Sequence, residues 1–333
     1  MTPERLPAPS KLWLLLEGRA AGELLTTLAL RPLLRRLVRG DGHPVLLLPG
    51  FLASDLSTRP LRGFLRGLGY YAHRWNLGRN LGAQGDLEER LSERLDEVFE
   101  RHQRPVSLVG WSLGGIYARL LANRHPERVR SVISLGSPFA EDVKANNSWR
   151  LYEWITKERL DEVSAERLDE VRRTPPVPTT SIFSRTDGVT AWRSALEREG
   201  PQAESVEVRG SHLGLGFNPL VLYVIADRLS QGVDDWLPFF RSGIAHPPGI
   251  SRPPEALLPE AQTREAQTEV AQTEVAQTED TQSQEAALQE DEPTETSTDG
   301  AFSPQDSPLH SLEAIGTLPE AALDASGEVP EEL

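Results

Sequence analysis

Val106-Ser107-Leu108-Val109-Gly110-Trp111-Ser112-Leu113-Gly114-Gly115 is the stretch on which the reading of this chain turns. Val106–Val109 predicts a short buried strand, and Gly114–Asn123 predicts a helix. Between them stands Gly-x-Ser-x-Gly, the spacing of a serine held on a sharp strand-to-helix turn. The turn strains the serine backbone and lifts its hydroxyl clear of the sheet. Side chains two residues to either side would collide with neighbouring elements, so Gly110 and Gly114 keep that space open. A serine so placed is a candidate nucleophile.

Outward from this motif the chain alternates strands and helices. Pro44–Leu48, Gly69–Trp75, Val132–Leu135, Thr179–Ser184 and Ser205–Val208 predict further strands. Thr58–Leu68 and Pro219–Leu229 predict helices, as does a segment opened by Asp86 with Glu89 at capping-box spacing. About six strands joined through helices imply an α/β fold with a mostly parallel sheet covered on both faces. Residues 147–173 interrupt the alternation with Trp149, Tyr152, Trp154 and Ile155. The hexapeptide Glu-Arg-Leu-Asp-Glu-Val starts at 93, 158 and 166, helix-forming text rather than a repeated domain. A helical lid over about 141–175 is expected.

A serine hydroxyl needs a base. Of seven histidines, four follow Ser112. His125 ends the helix that the serine starts, roughly 15 Å away at 1.5 Å per residue. His246 and His310 fall at the edge of the C-terminal segment or inside it. His212, in Gly210-Ser211-His212-Leu213-Gly214, follows the last strand and is the expected base. The acid should lie between the two, just past a strand. Asp187 fits, with Asp142 as the fallback. Developing oxyanion charge calls for two donors: the N–H of Leu113, and one from Pro49-Gly50-Phe51-Leu52, with Phe51 first and Leu52 second. Trp111, Trp149 and Tyr152 are the expected substrate-binding side chains. The scheme calls for no metal and no cofactor.

These residues resemble the α/β-hydrolase superfamily, and within it the lipase- and esterase-like members. The carriers are Leu46-Leu47-Leu48-Pro49-Gly50-Phe51, the Gly110–Gly115 turn, Ser184-Arg185-Thr186-Asp187-Gly188 and Gly210-Ser211-His212. The resemblance covers residues 43–230. It implies an α/β-hydrolase sheet and cleavage of a carboxylic ester through an acyl-enzyme. Acyl transfer, thioester cleavage and a non-catalytic scaffold are the alternatives. Many members carry His where this chain has Pro49, and the family's early antiparallel strands are absent, as in small lipases. Serine at the elbow excludes the branches that use Asp there.

The flanks read differently. Residues 1–42 form an N-terminal helical segment, with Ser10 as N-cap and leucines at helical spacing from Leu12 to Leu37. Pro32 is expected to break it, and Arg31, Arg35, Arg36 and Arg39 give the second piece a basic face. It reads as a helix packed on the domain, with peripheral membrane contact through residues 10–38 as the alternative. The domain proper spans 43–245. Residues 246–333 are rich in Pro, Gln, Thr and Glu, with Ala-Gln-Thr starting at 261, 266, 271 and 276, and should be disordered. The chain's net charge of −15 belongs to this tail, since residues 251–333 hold only Arg252 and Arg264 against 20 acidic residues. The near-neutral remainder offers no field to nucleic acid. The expected partner is a small-molecule or lipid-like acyl ester. Cys is absent, which removes disulfides and thiol chemistry. Neither a basic leader nor a membrane-length apolar run is read, so a cytoplasmic location is the expectation.

Overall fold

Strand β1 (Pro44–Leu48) is buried at every position, and its alternate residues serve different cores. Val45 and Leu47 face one cluster, with Leu61, Leu65 and Val221–Ile225. Leu46 and Leu48 face the other, with Leu91, Leu95, Tyr117 and Leu121. A strand whose two faces both meet helices reads as a continuous apolar run, as Pro44–Leu48 does. The computed structural model describes residues 7–83, 85–140, 146–147, 149–156, 163–232, 235–241 and 246–253. All of these fall within one unit, Met1–Ala276.

The other strands are β2 (Tyr71–His73), β3 (Val106–Trp111), β4 (Val129–Leu135), β5 (Thr179–Phe183), β6 (Ala203–Val208) and β7 (Ile250–Ser251). They form one sheet in the order β2-β1-β3-β4-β5-β6-β7. All neighbours are parallel except β7, which runs antiparallel to β6. The helices are α1 (Lys11–Leu15), α2 (Ala20–Leu34), α3 (Arg59–Gly67), α4 (Leu87–His102), α5 (Leu113–Arg124), α6 (Trp149–Thr156), α7 (Ala165–Arg172) and α8 (Pro219–Ser230). No described helix is long and apolar enough to cross a membrane.

Several local expectations are corrected. The sheet has a seventh strand, and β7 carries it past residue 245, because the Val208–Ile250 pairing covers the free edge of β6. Residues 254–333 lie outside the described residues. Pro32 sits inside α2 without breaking it, since it lies near the end of the helix and removes a single backbone donor. The break falls at the 3-10 turn Leu16–Arg19, where Glu17 turns inward. Asp86 makes no capping bond to α4, and its carboxylate lies 3.8 Å from Arg90 instead. Part of the segment expected as a lid is packed on the domain. Val171 of α7 is buried in the core, and the Arg119 side chain donates to the Val171, Arg172 and Arg173 carbonyls. Arg119 is itself paired with the fully buried Glu197. Asp142 lies outside the described residues.

Candidate active site

Parallel strands deliver their C-terminal ends to one edge, and four of them supply the candidate residues there. β1 leads to Phe51, β3 to Ser112, β5 to Asp187 and β6 to His212.

Ser112 has φ 54° and ψ −120°, a strained conformation for a residue with a side chain. Its N–H donates to Leu135 O at 2.8 Å, tying the turn to β4. A Cβ on Gly110 would lie 2.3 Å from Gly114 O, and one on Gly114 would lie 2.2 Å from Leu48 O. Gly50 brings the loop after β1 against the serine, where a Cβ would meet Ser112 Cβ at 3.3 Å.

His212 Nδ1 and Asp187 Oδ2 are 2.6 Å apart, both buried. The other Asp187 oxygen accepts from Val189 N at 2.8 Å and Thr190 N at 2.7 Å, which fixes the carboxylate. Burial by itself disfavours a charged imidazole, but Asp187, with Glu17 beyond it, outweighs burial and raises the His212 pKa above its ordinary value. Gly136 holds these residues near the serine. It follows Leu135, the acceptor of Ser112 N–H, and a Cβ there would lie 3.1 Å from both Asp187 Oδ2 and His212 Nδ1. Among the described residues the Ser112 hydroxyl has no hydrogen-bond partner. Nucleophile–base contacts often tighten only when substrate arrives.

The two expected oxyanion donors are open. Among the described residues neither Phe51 N–H nor Leu113 N–H meets an acceptor, the latter because it opens α5. Leu52 is excluded, since its N–H donates to Asn80 O at 2.7 Å. The expected substrate wall is mixed. Tyr152 of α6 packs on Phe51 with ring centroids 5.2 Å apart, and Trp149 opens the same helix, half-buried. The Trp154 side chain lies outside what is described. The Trp111 indole donates to His212 O at 3.0 Å and packs on Gly216, which braces the histidine loop.

Two sets of residues escaped the reading of the sequence. The first is in the N-terminal segment. The buried Glu17 carboxylate accepts from Gly188 N at 2.7 Å, His212 N at 3.0 Å and Leu213 N at 2.8 Å. Glu23 accepts from Ser211 N and Asn218 Nδ2, both at 2.8 Å. Arg19 donates to Thr186 Oγ1 at 3.0 Å and Gly210 O at 2.9 Å. Glu17 and Arg19 thus tie the Asp187 loop to the His212 loop, and Glu23 braces the His212 loop itself. Their signal was present: Glu17 and Glu23 are the two acidic residues in an otherwise apolar and basic stretch, Lys11–Arg39. The second is Asn80, fully buried, whose Nδ2 donates to Pro49 O at 2.8 Å while its N–H donates to Ala53 O at 2.8 Å. It holds the loop that presents Phe51.

The same residue types meet again at the opposite end of the sheet. His43 Nδ1 lies 2.5 Å from Asp41, and His43 Nε2 lies 2.9 Å from Ser107 Oγ. Ser107 is fully buried within β3, so no substrate reaches it. Access and backbone conformation distinguish Ser112, not residue type.

A model of the alpha/beta hydrolase family matches residues 45–284, most of the chain. A pimeloyl-[acyl-carrier protein] methyl ester esterase from Shewanella woodyi is 26% identical over 110 residues, which are 33% of this chain and 42% of that protein. The match therefore spans less than half of that relative. Among solved structures, Bacillus licheniformis lipase BlEst2 is 17% identical with a TM-score of 0.45, covering 59% of this chain and 95% of that one. Aspergillus fumigatus lipase B is 17% identical with a TM-score of 0.43, covering 60% of this chain and 55% of that one.

Proposed function

The chain belongs to the alpha/beta hydrolase family, and on that premise we propose that it is a serine hydrolase that cleaves a carboxylic ester through Ser112, His212 and Asp187. The observation that carries this reading is the buried 2.6 Å His212–Asp187 pair beside a serine with positive φ. The unoccupied Phe51 and Leu113 amides add to it.

In the reaction the Ser112 oxygen attacks the ester carbonyl while His212 Nε2 takes the hydroxyl proton. Asp187, bonded at Nδ1, selects the tautomer that leaves Nε2 free and stabilises the imidazolium. The carbonyl oxygen becomes an oxyanion and accepts from Phe51 N–H and Leu113 N–H. His212 returns the proton to the departing alcohol, leaving Ser112 acylated. Water, deprotonated by the same imidazole, then releases the acid and restores the serine. The Shewanella relative is named as a methyl ester esterase, which supports an ester over a thioester or an acyl-transfer acceptor.

A fluorophosphonate probe should label the wild-type chain and leave Ser112→Ala unlabelled. Equal labelling of both would refute the assignment. Tyr152 over Phe51 adds apolar surface beside the acyl site. Each buried methylene contributes about 0.8 kcal/mol, roughly fourfold. Medium-chain p-nitrophenyl esters should therefore exceed the acetate in kcat/KM by about ten- to a hundredfold, over about three methylenes. A profile that peaks at acetate would leave a small-ester hydrolase.

A further inference from the structure

We propose that the outward face of α1 and α2 docks the protein on an anionic lipid surface, and that the ester it cleaves is presented there. The second half rests on the hydrolase reading above, and the first half does not.

α2 turns an apolar side to solvent. Glu23, Thr27 and Leu34 lie along its inner face, toward α8 and the His212 loop. Leu25, Leu28 and Leu33 lie on the opposite side at helical spacing, 67%, 56% and 61% exposed, with Ala21, Ala29 and Pro32 along the same exposed side. Leu12 and Leu15 of α1 are 62% and 79% exposed. A contiguous run of exposed leucines on a surface helix is ordinarily covered by a partner or a lipid phase, yet this one meets solvent.

The charges identify the cover. Between Lys11 and Arg39 both acidic residues, Glu17 and Glu23, are turned inward and bonded to the catalytic loops. The exposed charges in this segment are therefore all cationic: Lys11, Arg31, Arg35, Arg36 and Arg39. A second copy on this face would set five cations against five. An anionic lipid surface complements both features, since leucines enter the acyl boundary while arginines reach the headgroup phosphates. The segment that bears this face also touches the candidate site. Leu213, next to His212, is half exposed and bonded to Glu17, and Gly188 packs against the Trp13 backbone.

The test uses the full chain with Ser112→Ala, which cannot consume vesicle ester, in co-sedimentation with phosphatidylcholine vesicles with and without phosphatidylglycerol. The expected result is association at least about tenfold stronger with the anionic vesicles, weakening as salt rises. Leu25→Ser/Leu28→Ser/Leu33→Ser should abolish pelleting, and Arg35→Gln/Arg36→Gln should remove the anionic preference. With Ser112 intact, the triple leucine variant should cleave a soluble p-nitrophenyl ester at the parental rate, which shows that it is folded. It should cleave the same ester dispersed in anionic vesicles at least about tenfold more slowly than the parent. Full-length protein that ignores both vesicles would overturn the docking proposal, whether a second copy or the chain's own acidic segment covers the face. So would a dimer that the triple variant dissolves. A chain that binds vesicles but cleaves no ester would instead overturn the hydrolase reading and leave docking in place.

Discussion

Glu17→Ala and Glu17→Gln separate the two contributions of a buried carboxylate that binds backbone amides on both candidate loops. Its oxygens accept three backbone N–H groups, two of them on buried Gly188 and His212 and one on the half-exposed Leu213. Alanine strands the two buried donors, at about 2 kcal/mol each, while water takes over the Leu213 donor. The cost of about 4 kcal/mol corresponds to a fall in Tm of about 12 °C at roughly 3 °C per kcal/mol for a domain of this size. Glutamine keeps one carbonyl oxygen for Gly188 and His212 and turns its amide toward Leu213, so it should cost about 1 kcal/mol. Its larger effect is electrostatic. Glu17 is one of the charges that raise the His212 pKa, and His212 must be neutral to take the serine proton. Removing the charge lowers that pKa, so the acid limb of the kcat/KM profile should move to lower pH. The assays are a thermal melt and a pH–rate profile on an activated ester. A glutamine variant whose acid limb stays in place, or an alanine variant with parental Tm, would refute the reasoning.

The remaining outcomes are expected as follows. Ser112→Ala and His212→Ala should each lower kcat by about 10⁴-fold or more, their combination should cost little extra, and Asp187→Asn should cost somewhat less; near-normal ester turnover by His212→Ala would exclude it as the base. Asn80→Ala releases Pro49 O and loosens the loop carrying Phe51, so kcat should fall about tenfold or more with KM little changed, because the lost donor acts in the transition state. His43 is pushed down from 6.5 to about 4 by burial, which outweighs the neighbouring Asp41. The unfolded chain therefore binds a proton in that window and the folded one does not. His43 by itself should take roughly 3 kcal/mol from stability as pH drops from about 6.5 to about 4; His73, also pushed down to about 4 by burial, adds its own share, so His43→Gln should reduce that fall in a pH–denaturation series without abolishing it.

The candidate site could be read from the sequence because its signals are local. The glycines of Gly110–Gly114 answer to atoms within a few residues or on the adjoining strand, and their spacing around Ser112 announces the turn. His212 and Asp187 each closely follow a strand whose apolar run is visible, which is what singled them out as candidates over His125 and Asp142. The two opposed cores follow from unbroken apolar strands such as Leu46–Leu48. What the tertiary structure alone decided involves partners far apart in the chain. Glu17 binds Gly188, His212 and Leu213 across more than 170 residues, and no local pattern links a helix's acidic side chain to those amides. The same holds for Leu52, whose N–H is taken by Asn80, and for Trp111, whose indole turns to His212. A local sequence states which groups can bond and at what spacing. Which of several donors stays free for an oxyanion depends on what the packed chain brings to the others, and only the assembled fold determines that.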